Sequence, residues 1–348
     1  MKSSVAVPLS FSTIVVVLCV FCLYGISVGP AEITPVQVLH AFFSRLVPAI
    51  SELKGNLLDW QETIIWQVRI PRVVVAACVG ATLAVCGATL QSLFRNPLAS
   101  PDILGVTSGA SLGAAIAIFF GLSSLHVFAI PGFAIVASIL SMALVYSVSV
   151  RNGKTALATL ILAGVAVSAL NGSIRSFVLS LALKSYEVGS AIIYWSLGSL
   201  EGRTWEHVWL ILPVFVIGYF IIRRQYRELD ILLLGEVHAS AVGVDVPRIR
   251  LQLLMTTAVM GAVAVAASGG IGFVGLVAPH MVRLVIGPKH RYLLPISALT
   301  GASMLVGSDL LLRSVFADFD IPVGALTALF GAPFFVFLLL RQRRMAML

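Results

Sequence analysis

Apolar residues fall in long blocks along this chain, parted by short polar joints. A first run covers Val5 to Val28, and others follow at Pro71 to Leu90, Ile103 to Phe120, Val127 to Val148, Thr155 to Leu181 and His207 to Ile222. Beyond a polar interruption come Leu251 to Ala267, Ile271 to Ile286, Tyr292 to Leu312 and Ile321 to Leu340. Crossing a bilayer takes about 20 apolar residues, and these blocks reach or approach that length, some of them shortened or broken by Gly and Pro. The pattern predicts an all-α, polytopic integral membrane protein with about ten transmembrane helices. Lys2 before the first run imitates a secretory signal, but the length of the run and the lack of a small-residue cleavage site favour a retained helix. The stretch Gly29 to Arg69 carries Glu32, Arg45, Glu52, Lys54, Asp59 and Glu62 around an amphipathic segment near Val36 to Ile50, so it reads as an ordered extramembrane loop.

The central interruption, Arg223 to Arg250, holds five arginines among Glu228, Asp230, Glu236 and Asp245. Charge at that density is too costly for hydrocarbon. The chain therefore reads as one transmembrane domain over 1–348, with a first half of about 1–222, a solvent-exposed loop at 223–250 and a second half at 251–348. Within the loop, Leu229 to Ala241 keeps apolar residues at helical spacing around Gly235, and Gly243 follows as a stop. That predicts a short amphipathic surface helix, either open to a partner or simply part of a basic loop.

Composition sharpens this picture. Only 11% of residues are charged and 59% are hydrophobic, which excludes an ordinary soluble domain. The net charge of +8 belongs with basic residues held on the cytoplasmic side rather than with nucleic acid. With the N-terminus placed in the cytoplasm, ten spans put 15 of the 23 Lys and Arg residues on that side, so both termini and the central loop are expected there. Cys19, Cys22, Cys78 and Cys86 all lie in apolar runs and read as small packing residues. A weak internal repeat appears at an offset of 182 residues, where Gly87, Pro97 and Gly105 match Gly269, Pro279 and Gly287. On the span count such a repeat is inverted, a transporter signature that places a pathway between the halves.

Longer motifs are more specific. Arg69 to Arg72 (RIPR) precede the second block, and Gln91 leads into RNPLASPDILG, Arg95 to Gly105. Later come LAGV at Leu162 to Val165, WSLGS at Trp195 to Ser199, LLLGE at Leu232 to Glu236 and GGIGFVGLVAPH at Gly269 to His280. SALTGA at Ser297 to Ala302, Asp309, Arg313, IPVG and GAPFF complete the set. From about Arg69 to Leu340 the chain resembles the permease family of type II ABC importers for ferric siderophores, haem and cobalamin. The resemblance implies a second permease subunit, identical or paralogous, an ATP-binding cassette ATPase below, and a periplasmic substrate-binding protein above.

It also implies roles. Leu233, Leu234, Gly235, Glu236, Ala239 and Gly243 would couple to the ATPase. Arg69, Arg72 and Arg313 would meet carboxylates of the binding protein, although each also reads as a helix-end anchor and Arg313 as an i,i+4 partner of Asp309. Asn96 and Leu98, with Leu157 and Ala158 in the loop Gly153 to Thr159, would form the cytoplasmic gate. No cofactor is expected on this chain: Gly153, Lys154 and Thr155 imitate the end of a phosphate loop, but its first glycine would fall at Val148. ATP would be used by the partner subunit. Lys289, Asp318 and Asp320 depart from the family pattern, which touches local contacts only. His40, His126, His207, His238, His280 and His290 are scattered, and no metal site is expected.

The expected function is thus a permease subunit moving an iron chelate, ferric siderophore first and haem or cobalamin as alternatives, across the bacterial inner membrane. An ion-coupled secondary transporter would need an ionisable cluster at mid-membrane. Asp309, near a helix end with Arg313 in reach, does not supply one. A membrane enzyme would need paired carboxylates, a nucleophile with a base, or a metal set, and the spans show none of these.

Overall fold

The computed structural model describes residues 3–46, 58–151, 154–155 and 157–346. Its helices are α1 (Ser3–Ser27), α2 (Pro35–Leu46), α3 (Asp59–Ile64), α4 (Ile70–Leu93), α5 (Val106–Phe119), α6 (Ala129–Ser149), α7 (Leu157–Ala182) and α8 (Tyr186–Leu197). They continue with α9 (Trp205–Arg224), α10 (Tyr226–Leu232), α11 (Glu236–Ala241), α12 (Val246–Ser268), α13 (Val274–Ile286), α14 (His290–Val315) and α15 (Val323–Ala346). Val150–Arg151 pairs antiparallel with Lys154–Thr155 as a two-residue hairpin.

Seven described helices are long and apolar enough to cross a membrane, and α5, α13 and α15 add shorter apolar segments. Their order follows the ten apolar blocks. Two boundaries move. Asp59 to Arg69 is helical, through α3 and a π-helical turn at Ile65–Arg69, and runs straight into α4, so the predicted loop ends earlier. The amphipathic segment near Val36 forms α2, while Val47 to Ile50 lie outside the described residues. Helix α8 stands where only a connection was expected, because Tyr186 to Leu197 has no run long enough to read as a span.

Helix α4 is the axis of the bundle: its residues from Val79 to Leu93 are all buried, with α14, α12, α13 and α9 packed around it. In lipid the hydrophobic effect cannot drive such packing, so close backbone contact and dispersion must. Gly80 and Gly301 supply it between α4 and α14, since a methyl group on either would collide with the carbonyl of the other. One end of the bundle gathers the start of α1, the end of α9 and the joint between α13 and α14. It is called the near end here, and the far end gathers the close of α1, the start of α4 and the close of α14.

The pairs 182 residues apart occupy unlike settings. Gly87 lies inside α4 whereas Gly269 follows α12 with φ +72°, and Pro97 stands in a turn whereas Pro279 lies inside α13. The halves resemble each other by element instead. In each, a long buried helix (α4 or α12) is followed by a break and a short helix (α5 or α13).

Candidate functional site

At the near end, the sequence expectation of one helix over Leu229 to Ala241 gives way to two. Gly235 sits at φ +113°, ψ 154°, a conformation essentially closed to other residues, and splits α10 from α11. The break presents Leu234, Val237 and Val242 to solvent while Ala239 is buried. Glu236, expected to face a partner, is ion-paired with Arg250 at the start of α12. The Arg95 guanidinium lies beside Gly235, so the RNPLA turn touches this loop.

Asp230 on α10 ties the loop to the bundle. Its Oδ1 accepts the His290 backbone N–H at 2.8 Å and lies 2.6 Å from His290 Nδ1. His290 Nε2 lies 2.6 Å from Ser92 Oγ at the end of α4, and Ser92 also accepts from Arg283 of α13 at 3.2 Å. One polar chain thus joins α10, α14, α4 and α13. Burial works to raise the Asp230 pKa, but the two His290 hydrogen bonds and the nearby His290 and Lys289 charges outweigh it and hold the carboxyl below its ordinary value. Sequence reading passed over Asp230, His290 and Ser92 as a set; a histidine opening a helix beside a lone acid in the facing loop was the available signal.

Of the gate residues, Asn96 closes its own turn, its Oδ1 accepting from the Leu98 N–H at 2.9 Å, and Leu98 is exposed. Arg95 takes φ +49° at this turn. Leu157 opens α7 and packs on the same apolar cluster as Phe94 and Ala99, with Ala158 exposed next to it. Gly153 and Ala156 of the expected gate loop lie outside the described residues.

In the middle of the bundle the two helix breaks meet. A 3₁₀ turn at Pro101–Leu104 precedes α5, and together with Gly272, Phe273 and Gly275 it lines a small pocket. Phe273 adopts φ +66° and fits against Gly331 of α15, where a Cβ would strike its ring. The WSLGS motif arrives at the same point: Ser199 N–H donates to the Ser268 carbonyl at 2.8 Å and Gly324 N–H to the Gly198 carbonyl at 3.2 Å. Gly198, Gly269, Gly270 and Gly324 lie so close that side chains there would strike neighbouring carbonyls. Beside this junction opens a cleft of about 590 Å³, lined by Thr107, Ser108, Ser111, Ser168, Ser196 and Arg175 among others. Small hydroxyl side chains and irregular backbone at membrane depth are what a water-filled path requires.

At the far end Arg69, Arg72 and Arg313 come together, but inside the fold. Arg72 holds Asp309 bidentately, Nη2 donating to Oδ1 at 2.7 Å and Nε to Oδ2 at 3.2 Å, and Arg313 Nε donates to Asp309 Oδ2 at 3.0 Å. Arg313 also donates to the Val28 and Gly25 carbonyls, and Arg69 to those of Ile26, Ser27 and Ala31. These bonds satisfy the open carbonyls at the end of α1. Arg69 is only 5% exposed and the Arg72 side chain 23%. The four cysteines are free thiols, and no group of three or more His, Cys, Asp or Glu side chains that could hold a metal occurs among the described residues.

The chain is 44% identical over 287 residues to a cobalamin import system permease protein, BtuC, of Halobacterium salinarum, covering 82% of this chain and 76% of that one. It is 40% identical to the Fe(3+) dicitrate transport system permease protein FecD of Escherichia coli, over 83% of this chain and 91% of the relative. Its fold superposes on a solved structure described as an inward-facing conformation of a metal-chelate type ABC transporter, with a TM-score of 0.83, 31% identity and coverage of 96% and 99%. With the model of the FecCD transport family matching residues 16–341, the chain belongs to that family.

Proposed function

We propose that this chain is the membrane-spanning subunit of an ATP-driven importer that moves a metal chelate, ferric siderophore first, inward across the bacterial inner membrane. The observation that carries this reading is the junction of two broken helices beside a hydroxyl-lined cleft at membrane depth. That cleft is open along one side, so one chain supplies part of a wall and a second permease subunit the rest. Its lining offers weak polar contacts rather than a tight set of ligands, which suits cargo that must be released.

The near end is taken as cytoplasmic, in line with the Lys and Arg bias. There the ATPase subunit would seat on the α10–α11 loop, with exposed Leu234 and Val237 as its apolar footing. Movement of that loop would reach the pathway through Asp230, His290 and Ser92 into α14 and α4. ATP hydrolysis would reside in that partner. At the far, periplasmic end, a binding protein would meet a surface whose rigidity comes from the Asp309 cluster. Arg72, still partly exposed, would offer the direct charge contact, with Arg69 and Arg313 holding α1 in place.

Cobalamin is the second reading, favoured by the 44% identity to a cobalamin import permease. The test is uptake into proteoliposomes holding this chain with its ATPase and binding protein, offered ferric siderophore, haem and cobalamin in parallel. ATP-dependent uptake of one cargo assigns it; uptake driven by an ion gradient with ATP irrelevant would overturn the proposal.

A further inference from the structure

A groove of about 910 Å³ lies at the near end between the first turns of α1, the last turn of α9 and the α13–α14 joint, beside α10 and away from the cleft. Its walls divide by chemistry. Phe11 and Ile296 supply apolar lining beside Ser12, and Arg223, Lys289 and Arg291 supply the cations. Among the described residues none of these three cations forms an ion pair. Arg223 and Arg291 lie over the rings of Tyr226 and Tyr292, and Arg223 Nη1 is buried without a hydrogen-bond partner. Of the acids on α10, Asp230 is committed to His290, and Glu228, whose Oε2 is buried without a hydrogen-bond partner, forms no ion pair with these cations among the described residues. Helix α1 shows most of its surface outward, with about a tenth of its apolar window buried, so the groove opens where lipid would stand.

We infer that this groove is a binding site for an anionic phospholipid, its phosphate held by Arg223, Lys289 and Arg291 and an acyl chain laid against Phe11 and Ile296. Three unpaired cations beside an apolar slot match a molecule with a charged head and a hydrocarbon tail, and basic pockets between helices at the cytoplasmic face have that preference. The inference goes beyond the transport reading and shares with it only the placing of the near end in the cytoplasm. A bound lipid would fill the space between α1 and the α13–α14 joint, fixing the helix that starts at His290.

The test is native mass spectrometry of the purified full chain, titrated with phosphatidylglycerol or cardiolipin and, in parallel, with phosphatidylcholine. The expected result is selective retention of the anionic lipids. R223Q/K289Q/R291Q is expected to weaken that binding on the order of 100-fold, given roughly fivefold per cation. Ser12→Trp, which fills the slot without changing charge, is expected to weaken it too, while Arg175→Gln, a cation in the cleft, leaves it unchanged. Equal retention of anionic and zwitterionic lipid would overturn the site. So would loss in the triple variant with full binding by Ser12→Trp, since the attraction would then be diffuse surface charge.

Discussion

Asp309 is 1% exposed and holds two arginines at once, so its loss leaves two cations facing each other near the membrane surface. Breaking such a pair from one side costs about 3–5 kcal/mol. Asp309→Asn is expected to lower the melting temperature of the detergent-purified chain markedly, whereas Arg72→Lys, which keeps the charge but not the fork, should cost less. Asp230 makes a prediction of opposite visibility. Its folded pKa is depressed, so the stability it contributes is fully present above the ordinary carboxylate value of about 3.9 and is lost as pH falls through the folded pKa. Asp230→Asn should therefore destabilise the chain throughout pH 6 to 8, and the gap to wild type should close only below about pH 4. A gap that closes between pH 6 and 8 would mean that a different group governs the joint.

Among the elements, the α10–α11 pair depends on one residue. Gly235 occupies a backbone region that costs any other residue on the order of 1–3 kcal/mol. Gly235→Val should reduce binding of the ATPase subunit, read by co-purification, while the permease keeps its helix content by circular dichroism. Here sequence and structure parted for a clear reason. Apolar spacing on both sides of Gly235 is consistent with one helix, and only the sign of φ, which periodicity does not carry, divides it. Helix α8 escaped for the opposite reason, being too short to register as a span. The ten apolar blocks, by contrast, were plain, because a bilayer imposes length and hydropathy on each span independently of its neighbours. The Pro and Gly breaks before α5 and α13 were equally open to reading.

For the whole molecule, what sequence could not supply was pairing at a distance. Arg69, Arg72 and Arg313 stand together at one end, but Arg72 meets its acid 237 positions away, and no local pattern encodes that. The same holds for Ser92 and His290, 198 positions apart. The coarse topology is open to direct measurement. In a background lacking Cys19, Cys22, Cys78 and Cys86, cysteines at Val237 (82% exposed, near end) and Tyr186 (87% exposed, between α7 and α9) should react with an impermeant maleimide from opposite faces of the cell membrane. Labelling of Val237→Cys in intact cells would reverse the orientation taken for the importer.

The junction between α12 and α13 also leaves backbone amides open to hydrogen exchange. Backbone amides of Gly270, Ile271 and Gly272 donate to no carbonyl among the described residues, yet they lie between two helices whose own amides are locked. Backbone of that kind is tolerated at membrane depth where it is buried in protein or lines a water-filled cavity, and Gly270 and Gly272 line the cleft. In deuterated buffer this short segment should take up label within seconds, while the flanking turns of α12 and α13 hold their hydrogens for hours, and a trapped cargo in the cleft should slow that uptake. The segment would then report, by isotope alone, whether the interior path is wet or filled.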